Sequence, residues 1–242
     1  MEKLSLAVLE RIQSAKSIVT ITGAGISQES GIPTFRGEGG YWKTYRAEDL
    51  ATPEAFRKNP SLVWEWYDYR REICKKAIPN EGHKTLVKLE AIVPNFFLIT
   101  QNVDNLHNRA SSKNYAEIHG NIFFSRCTKC QRIAPIEESH NNQDHLKYCT
   151  SCNGLLRPHI VWFGESYDSN LLDLCFHHLE KAEIVLVVGT SGAVSMPQAM
   201  ASHAQNHGAF LVEINPEHSS MTGMMDIFLQ GKAGEILPKL IA

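Results

Sequence analysis

Four short apolar runs constrain this chain more than any other feature: SIVTIT (17–22), NFFLIT (95–100), EIVLVVG (183–189) and AFLVEI (209–214). Each is rich in branched or aromatic residues and bounded by turn or polar residues, the pattern of strands buried on both faces of a parallel sheet. Apolar residues at helical spacing intervene over 4–15, 61–74, 83–91, 169–181 and 197–206. That alternation predicts an α/β fold, a Rossmann-like doubly wound parallel sheet. Two stretches break the rhythm. Residues 37–82 read as a glycine-rich loop and an aromatic-rich helix with no strand, and residues 122–158 carry most of the cysteines. Both read as insertions that pack as a smaller domain, a helical module with a zinc ribbon, leaving 1–36, 83–121 and 159–242 to the large domain. The cleft between the two is the expected ligand site.

The cysteines decide what the second insertion is. Cys127-Thr128-Lys129-Cys130 and Cys149-Thr150-Ser151-Cys152 are two CxxC turns separated by 18 residues. Each turn presents two thiolates to one ion, and two complete a closed tetrahedral Cys₄ site that has no position for a reacting water. The expected metal is therefore structural Zn²⁺. A redox pair is the other reading of CxxC, but neither turn opens a βαβ helix. His140 and His145 are surplus to four thiolates, and Cys74 and Cys175 read as buried apolar fillers.

A zinc ribbon also occurs in nucleic-acid modules. Here the net charge of -2 supplies no field for a polyanion, so neither nucleic acid nor a membrane surface is an expected partner. No apolar run approaches the roughly 18 residues of a membrane span. The first sixteen residues lack the apolar stretch of a signal peptide, and Glu2 and Glu10 argue against a transit peptide. The expected compartment is the reducing cytoplasm, and nothing in the sequence calls for more than a monomer.

The first apolar run leads straight into Gly23-Ala24-Gly25-Ile26-Ser27. Two glycines after a strand allow a tight turn and a close approach to a pyrophosphate, whose charge backbone N–H groups then cradle. The dehydrogenase fingerprint is incomplete, because its third glycine falls at Gln28 and no strand ending in an acid follows about twenty residues on. Arg36 instead offers a guanidinium for phosphate. Glu213 and Asn215 stand at the end of the last run, suited to a ribose, and Gly189-Thr190-Ser191 closes the third. Tight turns of an ordinary α/β fold would explain the glycines taken alone.

Read in order, GAGIS, SGIPTFRG, TQNVDNLH, HG, CxxC…CxxC, RPHIVWFGE, GTS and EIN resemble the sirtuins over about residues 17–237. The resemblance implies an NAD-dependent protein-lysine deacylase, with NAD as co-substrate, structural zinc, and acylated-lysine proteins or peptides as partners. Nicotinamide and O-acyl-ADP-ribose would be the products. It implies His119 as general base toward a ribose hydroxyl. NAD contacts would come from Gly23, Ala24, Gly25, Ile26, Phe35, Arg36, Gln101, Asn102, Asp104, Gly189, Thr190, Ser191, Glu213 and Asn215. Ala233 would follow, in a loop over 231–234 expected to stack on adenine. Asp104 would bind the carboxamide, although Asp104 and Asn105 could equally cap the next helical turn.

On the substrate side the resemblance points to the Val161 carbonyl as acceptor for the acyl-lysine N–H. Trp162, Phe163, Gly164 and Glu165 would add strand pairing. Tyr67 and Arg70 lie i, i+3 on a helix and so share a face. With Ala47 and Ala51 as small pocket residues they resemble the class III sirtuins, which remove succinyl and malonyl groups. A solvated helix face at Arg70 would leave a general lysine deacetylase, and an NAD-dependent ADP-ribosyltransferase shares the chemistry up to nicotinamide loss. One departure is local: residues 189–197 carry one residue more before Pro197 than the family pattern.

Overall fold

A computed structural model describes residues 6–34, 41–42, 45–141 and 145–241. The chain opens with α1 (Leu6–Ser14), β1 (Ser17–Thr22) and the short α2 (Ala24–Gln28). A two-residue-per-strand hairpin follows, β2 (Tyr41–Trp42) with β3 (Tyr45–Arg46), then α3 (Ala47–Leu50), α4 (Pro53–Lys58), α5 (Pro60–Lys76) and α6 (Glu81–Ile92). Next come β4 (Asn95–Thr100), α7 (Leu106–Arg109) and β5 (Tyr115–Glu117). The cysteine-bearing part holds β6 (Gly120–Cys127), β7 (Ile133–Pro135), β8 (His140–Asn141), β9 (Lys147–Tyr148) and β10 (Leu156–Ile160). The chain ends α8 (Ser169–Leu179), β11 (Ile184–Val188), α9 (Ser195–Asn206), β12 (Phe210–Asn215), β13 (Ile227–Gln230) and α10 (Ala233–Leu240).

Six strands form one sheet in the order β13-β12-β11-β1-β4-β5, and every pairing in it is parallel. Side chains alternate across a strand, so each apolar run feeds both faces. Ile18, Leu98, Leu186 and Val212 face one core with α1, α6 and α10, while Val19, Phe97, Val185 and Leu211 face the other with α8 and α9. This is the Rossmann-like arrangement that the alternation predicts.

Outside the sheet the expectation of no strand in 37–82 is corrected by the β2–β3 hairpin. Tyr41 pairs with Arg46 and Trp42 with Tyr45, antiparallel, just before the helices begin. Two elements near the carboxyl end also differ from expectation. β13 is only four residues long, too short for a periodic signal, and α10 occupies half of the loop expected over 231–234. Pro238 sits inside α10 and disguises its helical spacing, yet Ala233, Leu237 and Leu240 are buried.

The two insertions pack on one another as a smaller insert beside the sheet. Trp64, Trp66 and Tyr67 of α5 share a core with Ile122, Leu156 and Trp162. Asn59 and Pro60 start α5: the Asn59 side chain accepts from Leu62 N at 3.0 Å, and proline at the first helical position loses no bond. Directional bonds then tie α5 to the ribbon. The Trp64 ring N–H donates to the Leu156 carbonyl at 3.0 Å, and Arg71 Nε donates to the Ile122 carbonyl at 2.9 Å.

Candidate functional site

The strand order reverses direction at β1, which has β4 on one side and β11 on the other. Ligands of open parallel sheets bind in the crevice at the carboxyl ends of such strands. The two turns there touch backbone to backbone. Gly23 N donates to the Val188 carbonyl at 2.9 Å and Gly25 N to the Gly189 carbonyl at 2.8 Å. A Cβ on Gly25 would lie 2.8 Å from Gly189 backbone atoms, and Gly189 itself has φ +61°, so both must be glycine. The α2 helix that starts here has no side-chain cap at Gly23.

Polar side chains converge on the same edge. Gln101 Nε2 donates to Thr190 Oγ1 at 3.1 Å, linking the turns after β4 and β11. Asn102 Nδ2 donates to the Gly23 carbonyl at 3.0 Å and Ser27 Oγ donates to Asp104 Oδ2 at 2.6 Å. Asp104 Oδ1 accepts from Leu106 N, the first residue of α7, at 2.9 Å, whereas Asn105 at the N-cap position makes no side-chain cap. Burial raises the Asp104 pKa, against the opposing bond from Ser27. Asn215 Nδ2 donates to the Thr190 carbonyl at 3.0 Å, whereas Glu213 is buried within β12 and accepts from Thr222 Oγ1. Ser191 is exposed and Ile26 fully buried. Ala233 is buried at the start of α10, where its Cβ lies 3.3 Å from one built on Gly82. Phe35 and Arg36 lie outside the described residues. An uncapped helix start flanked by neutral amides and hydroxyls is a donor set that fits a dinucleotide.

His119 follows β5 and faces this edge. Its Nδ1 lies 2.9 Å from the Gln101 carbonyl oxygen. A carbonyl can only accept, so Nδ1 carries the proton and Nε2 presents a lone pair. Nε2 stands 3.2 Å from the Tyr167 hydroxyl, with the two rings stacked. Burial lowers the His119 pKa, and the Gln101 bond opposes this only in part, so the ring is neutral at pH 7. Gly120 behind it has φ +83°, and a Cβ there would fall 2.1 Å from the His159 carbonyl oxygen.

Several site neighbours escape sequence reasoning. Tyr167 sits in a loop with no periodic signal. Asn121 Nδ2 bridges Glu117 Oε1 at 2.8 Å and Asn105 Oδ1 at 3.1 Å, which anchors the left-handed Asn105. Burial pushes the Glu117 carboxyl up to about 7. Beneath the edge His107 Nε2 lies 3.0 Å from Thr22 Oγ1, and its ring packs 4.8 Å from that of His83.

On the insert side Tyr67 is fully buried and its hydroxyl accepts from the Trp162 ring N–H at 2.8 Å. Arg70 is half-buried, its guanidinium 5.0 Å from the Trp66 ring centre and 5.8 Å from that of Tyr67. Ala47 and Ala51 are buried in the same cluster. Val161 N donates to the His119 carbonyl at 3.0 Å and Phe163 N to the Ala51 carbonyl at 3.0 Å. β10 ends at Ile160, so Trp162, Phe163, Gly164 and Glu165 form a turn, braced by an Arg157–Glu165 ion pair. Trp162 is buried and Phe163 is exposed.

The four ribbon cysteines come together as the spacing predicts. Cys127 Sγ lies 3.5 Å from Cys152 Sγ, Cys130 Sγ lies 3.8 Å from Cys149 Sγ, and all four sulfurs fall within 4.8 Å of one another. Thiolates bound at about 2.3 Å around tetrahedral zinc are about 3.8 Å apart, so the cluster fits structural zinc with no open position. Cys74 and Cys175 are buried elsewhere, as expected.

Comparison with known proteins meets the same residues. The Sir2 family model matches residues 23–196, from the glycine turn to the start of α9. An NAD-dependent protein deacylase of Leptospira interrogans is 56% identical over 226 residues, spanning 93% of this chain and 92% of that protein. One from Aquifex aeolicus is 48% identical over 229 residues, spanning 93% of each. Among solved structures, a Sir2 homolog–NAD complex has a TM-score of 0.93 at 40% identity, covering 99% of this chain and 93% of its own. A Sir2–p53 peptide–NAD+ complex has a TM-score of 0.88 at 28% identity, covering 99% and 97%. With the parallel sheet, the smaller insert and the four-cysteine cluster in place, this chain belongs to the Sir2 family.

Proposed function

We propose that this protein removes acyl groups from protein lysines with NAD as co-substrate, and that it favours succinyl and malonyl groups over acetyl. The observation that carries the deacylase reading is the state of His119: a neutral ring, its Nδ1 hydrogen held by the Gln101 carbonyl and its Nε2 lone pair turned to the Tyr167 hydroxyl. NAD, when bound, supplies the ribose carbon that the acyl oxygen attacks and the nicotinamide that leaves. The turns at Gly23, Gly25 and Gly189 would seat the pyrophosphate, Asn102 and Asp104 the nicotinamide end, and Asn215 the adenosine ribose. His119 Nε2 would take the proton from a ribose hydroxyl. Tyr167, within hydrogen-bond reach of that nitrogen, would orient the ring before substrate enters. Five backbone positions, Val161 to Glu165, would align the peptide, with the Val161 carbonyl accepting the acyl-lysine N–H. A ribbon of thiolates persists in a reducing compartment, and we place the enzyme in the cytoplasm.

The acyl preference rests on Arg70. A succinyl-lysine would bring a carboxylate toward the cluster that holds Ala47, Ala51 and Trp162, where the half-buried Arg70 guanidinium lies 5.8 Å from the Tyr67 ring centre and is of the type that grips a carboxylate. The Tyr67 oxygen already accepts from Trp162 and still has its own O–H to donate. Hydrogen bonds to charged groups are worth roughly 1.5–3 kcal/mol, so losing Arg70 should cost at least about ten-fold in kcat/KM. The test is a panel of acetyl, malonyl, succinyl and glutaryl peptides of one sequence, with wild type and Arg70→Met. Desuccinylation should fall while deacetylation stays level or improves. An equal fall in both would make Arg70 structural and the protein a general deacetylase.

A further inference from the structure

The carboxyl ends of α8 and α9 meet at the amino edge of the sheet, across it from the glycine turns. There Glu180, His203 and His207 place one ligand atom each within 4.8 Å of the others. His203 and His207 are one helical turn apart, so their rings share a face. The His207 Nδ1 lies 2.8 Å from the His203 carbonyl oxygen. That carbonyl can only accept, so Nδ1 holds the hydrogen and Nε2 keeps its lone pair, the state and backing bond typical of metal-ligating histidine. The His203 ring is held edge-on to Phe176 at 4.9 Å.

His203 Nε2 is buried and makes no hydrogen bond. It lies 3.4 Å from Glu180 Oε1, beyond a well-formed N–H···O bond. Two ligand atoms held at about 2.1 Å by a tetrahedral zinc are about 3.4 Å apart. We propose that Glu180, His203 and His207 form a second metal site, for a divalent transition-metal ion, that clamps α8 to α9. Two imidazoles and one carboxylate are a donor set for Zn²⁺ or its first-row neighbours rather than for Mg²⁺ or Ca²⁺. Glu180 and His207 are exposed, so the ion would enter from solvent and keep water in its fourth position. The cysteine ribbon and the reading of function given above use none of these three residues.

The test uses full-length protein carrying its ribbon zinc, titrated with Zn²⁺ against a chromophoric chelator while Tm is followed. We expect one further Zn²⁺ per chain, held at least ten-fold more weakly by His207→Ala and by Glu180→Gln. Zinc should raise Tm in the wild type and not in His207→Ala. Both replaced residues are exposed, so both variants should fold. A wild type that takes no further zinc overturns the site. A further zinc held as tightly by both variants as by the wild type does so too.

Discussion

The parallel sheet and the smaller insert are held together by different forces. The sheet buries runs of aliphatic side chains on both faces: Val185, Leu186, Val187 and Val188 of β11 are all fully buried. Its stability is spread over area, at about 25 cal/mol per Å² of apolar surface. The insert has fewer aliphatic residues and relies on directional contacts, the Trp64–Leu156 and Trp162–Tyr67 hydrogen bonds and the four thiolates. A distributed core tolerates single losses. A core of a few specific bonds fails locally. The chain has 4 tryptophans, and Trp64, Trp66 and Trp162 all sit in the insert's cluster. None lies in the six-strand sheet, so tryptophan fluorescence and far-UV circular dichroism can watch the two regions separately.

The largest effect should come from the ribbon. Structural zinc contributes roughly 10–16 kcal/mol of binding free energy in small zinc-finger peptides. Cys127→Ser, or chelation, should abolish activity and shift tryptophan emission while most of the circular dichroism persists. If both signals collapse together, sheet and insert are one cooperative unit and the contrast fails. Next, His119→Ala should lower kcat by about 10²–10⁴ with NAD affinity and both folding signals nearly unchanged. More than about a tenth of wild-type turnover would remove His119 as the base. Because burial lowers its pKa, the neutral ring should persist into more acid solution, and the acid limb of kcat/KM should fall below pH 6.5.

Acid should distinguish the regions in the other direction. His83 in α6 is held down to about 4 by burial, and His107 beside it is lowered too, again chiefly by burial. Unfolded histidine takes its proton near 6.5, so the unfolded chain binds more protons than the native one between these values. Stability is therefore present above pH 6.5 and declines as pH falls toward about 4, by up to about 1.4 kcal/mol per pH unit for each histidine. His83→Gln should flatten that decline in the circular-dichroism melt, and an unchanged slope would assign it to other groups. The smallest effect should be Tyr67→Phe, which removes only the hydroxyl that accepts from the Trp162 ring N–H and costs about 1 kcal/mol. A loss confined to the insert's melting would sharpen the contrast, whereas no loss would mean that the Tyr67 bond contributes little.

What could be read in the sequence follows the same division. SIVTIT and NFFLIT match β1 and β4 residue for residue, because a doubly buried strand leaves a continuous apolar run between polar boundaries. The paired CxxC turns announce their cluster because thiolate spacing is local. Contacts made across the chain are not local. Tyr167 reaches His119 from 48 residues away, and Asn80 ties α6 to the Ile26 carbonyl from 54 away, with no pattern to announce either. Tyr67 and Arg70 were legible as a shared helix face, but the hydrogen bond that fixes Tyr67 comes from Trp162, 95 residues on.

The main chain of His119 has a use apart from its ring. Its carbonyl accepts from Val161 N at 3.0 Å, so the residue that offers the base also suspends the segment from Val161 to Glu165. Replacing the imidazole leaves that strap in place. His119→Ala is therefore suited to serve as bait: immobilised with NAD, it should retain acylated clients that it can dock but not process, and release them to a competing acyl-lysine peptide for identification.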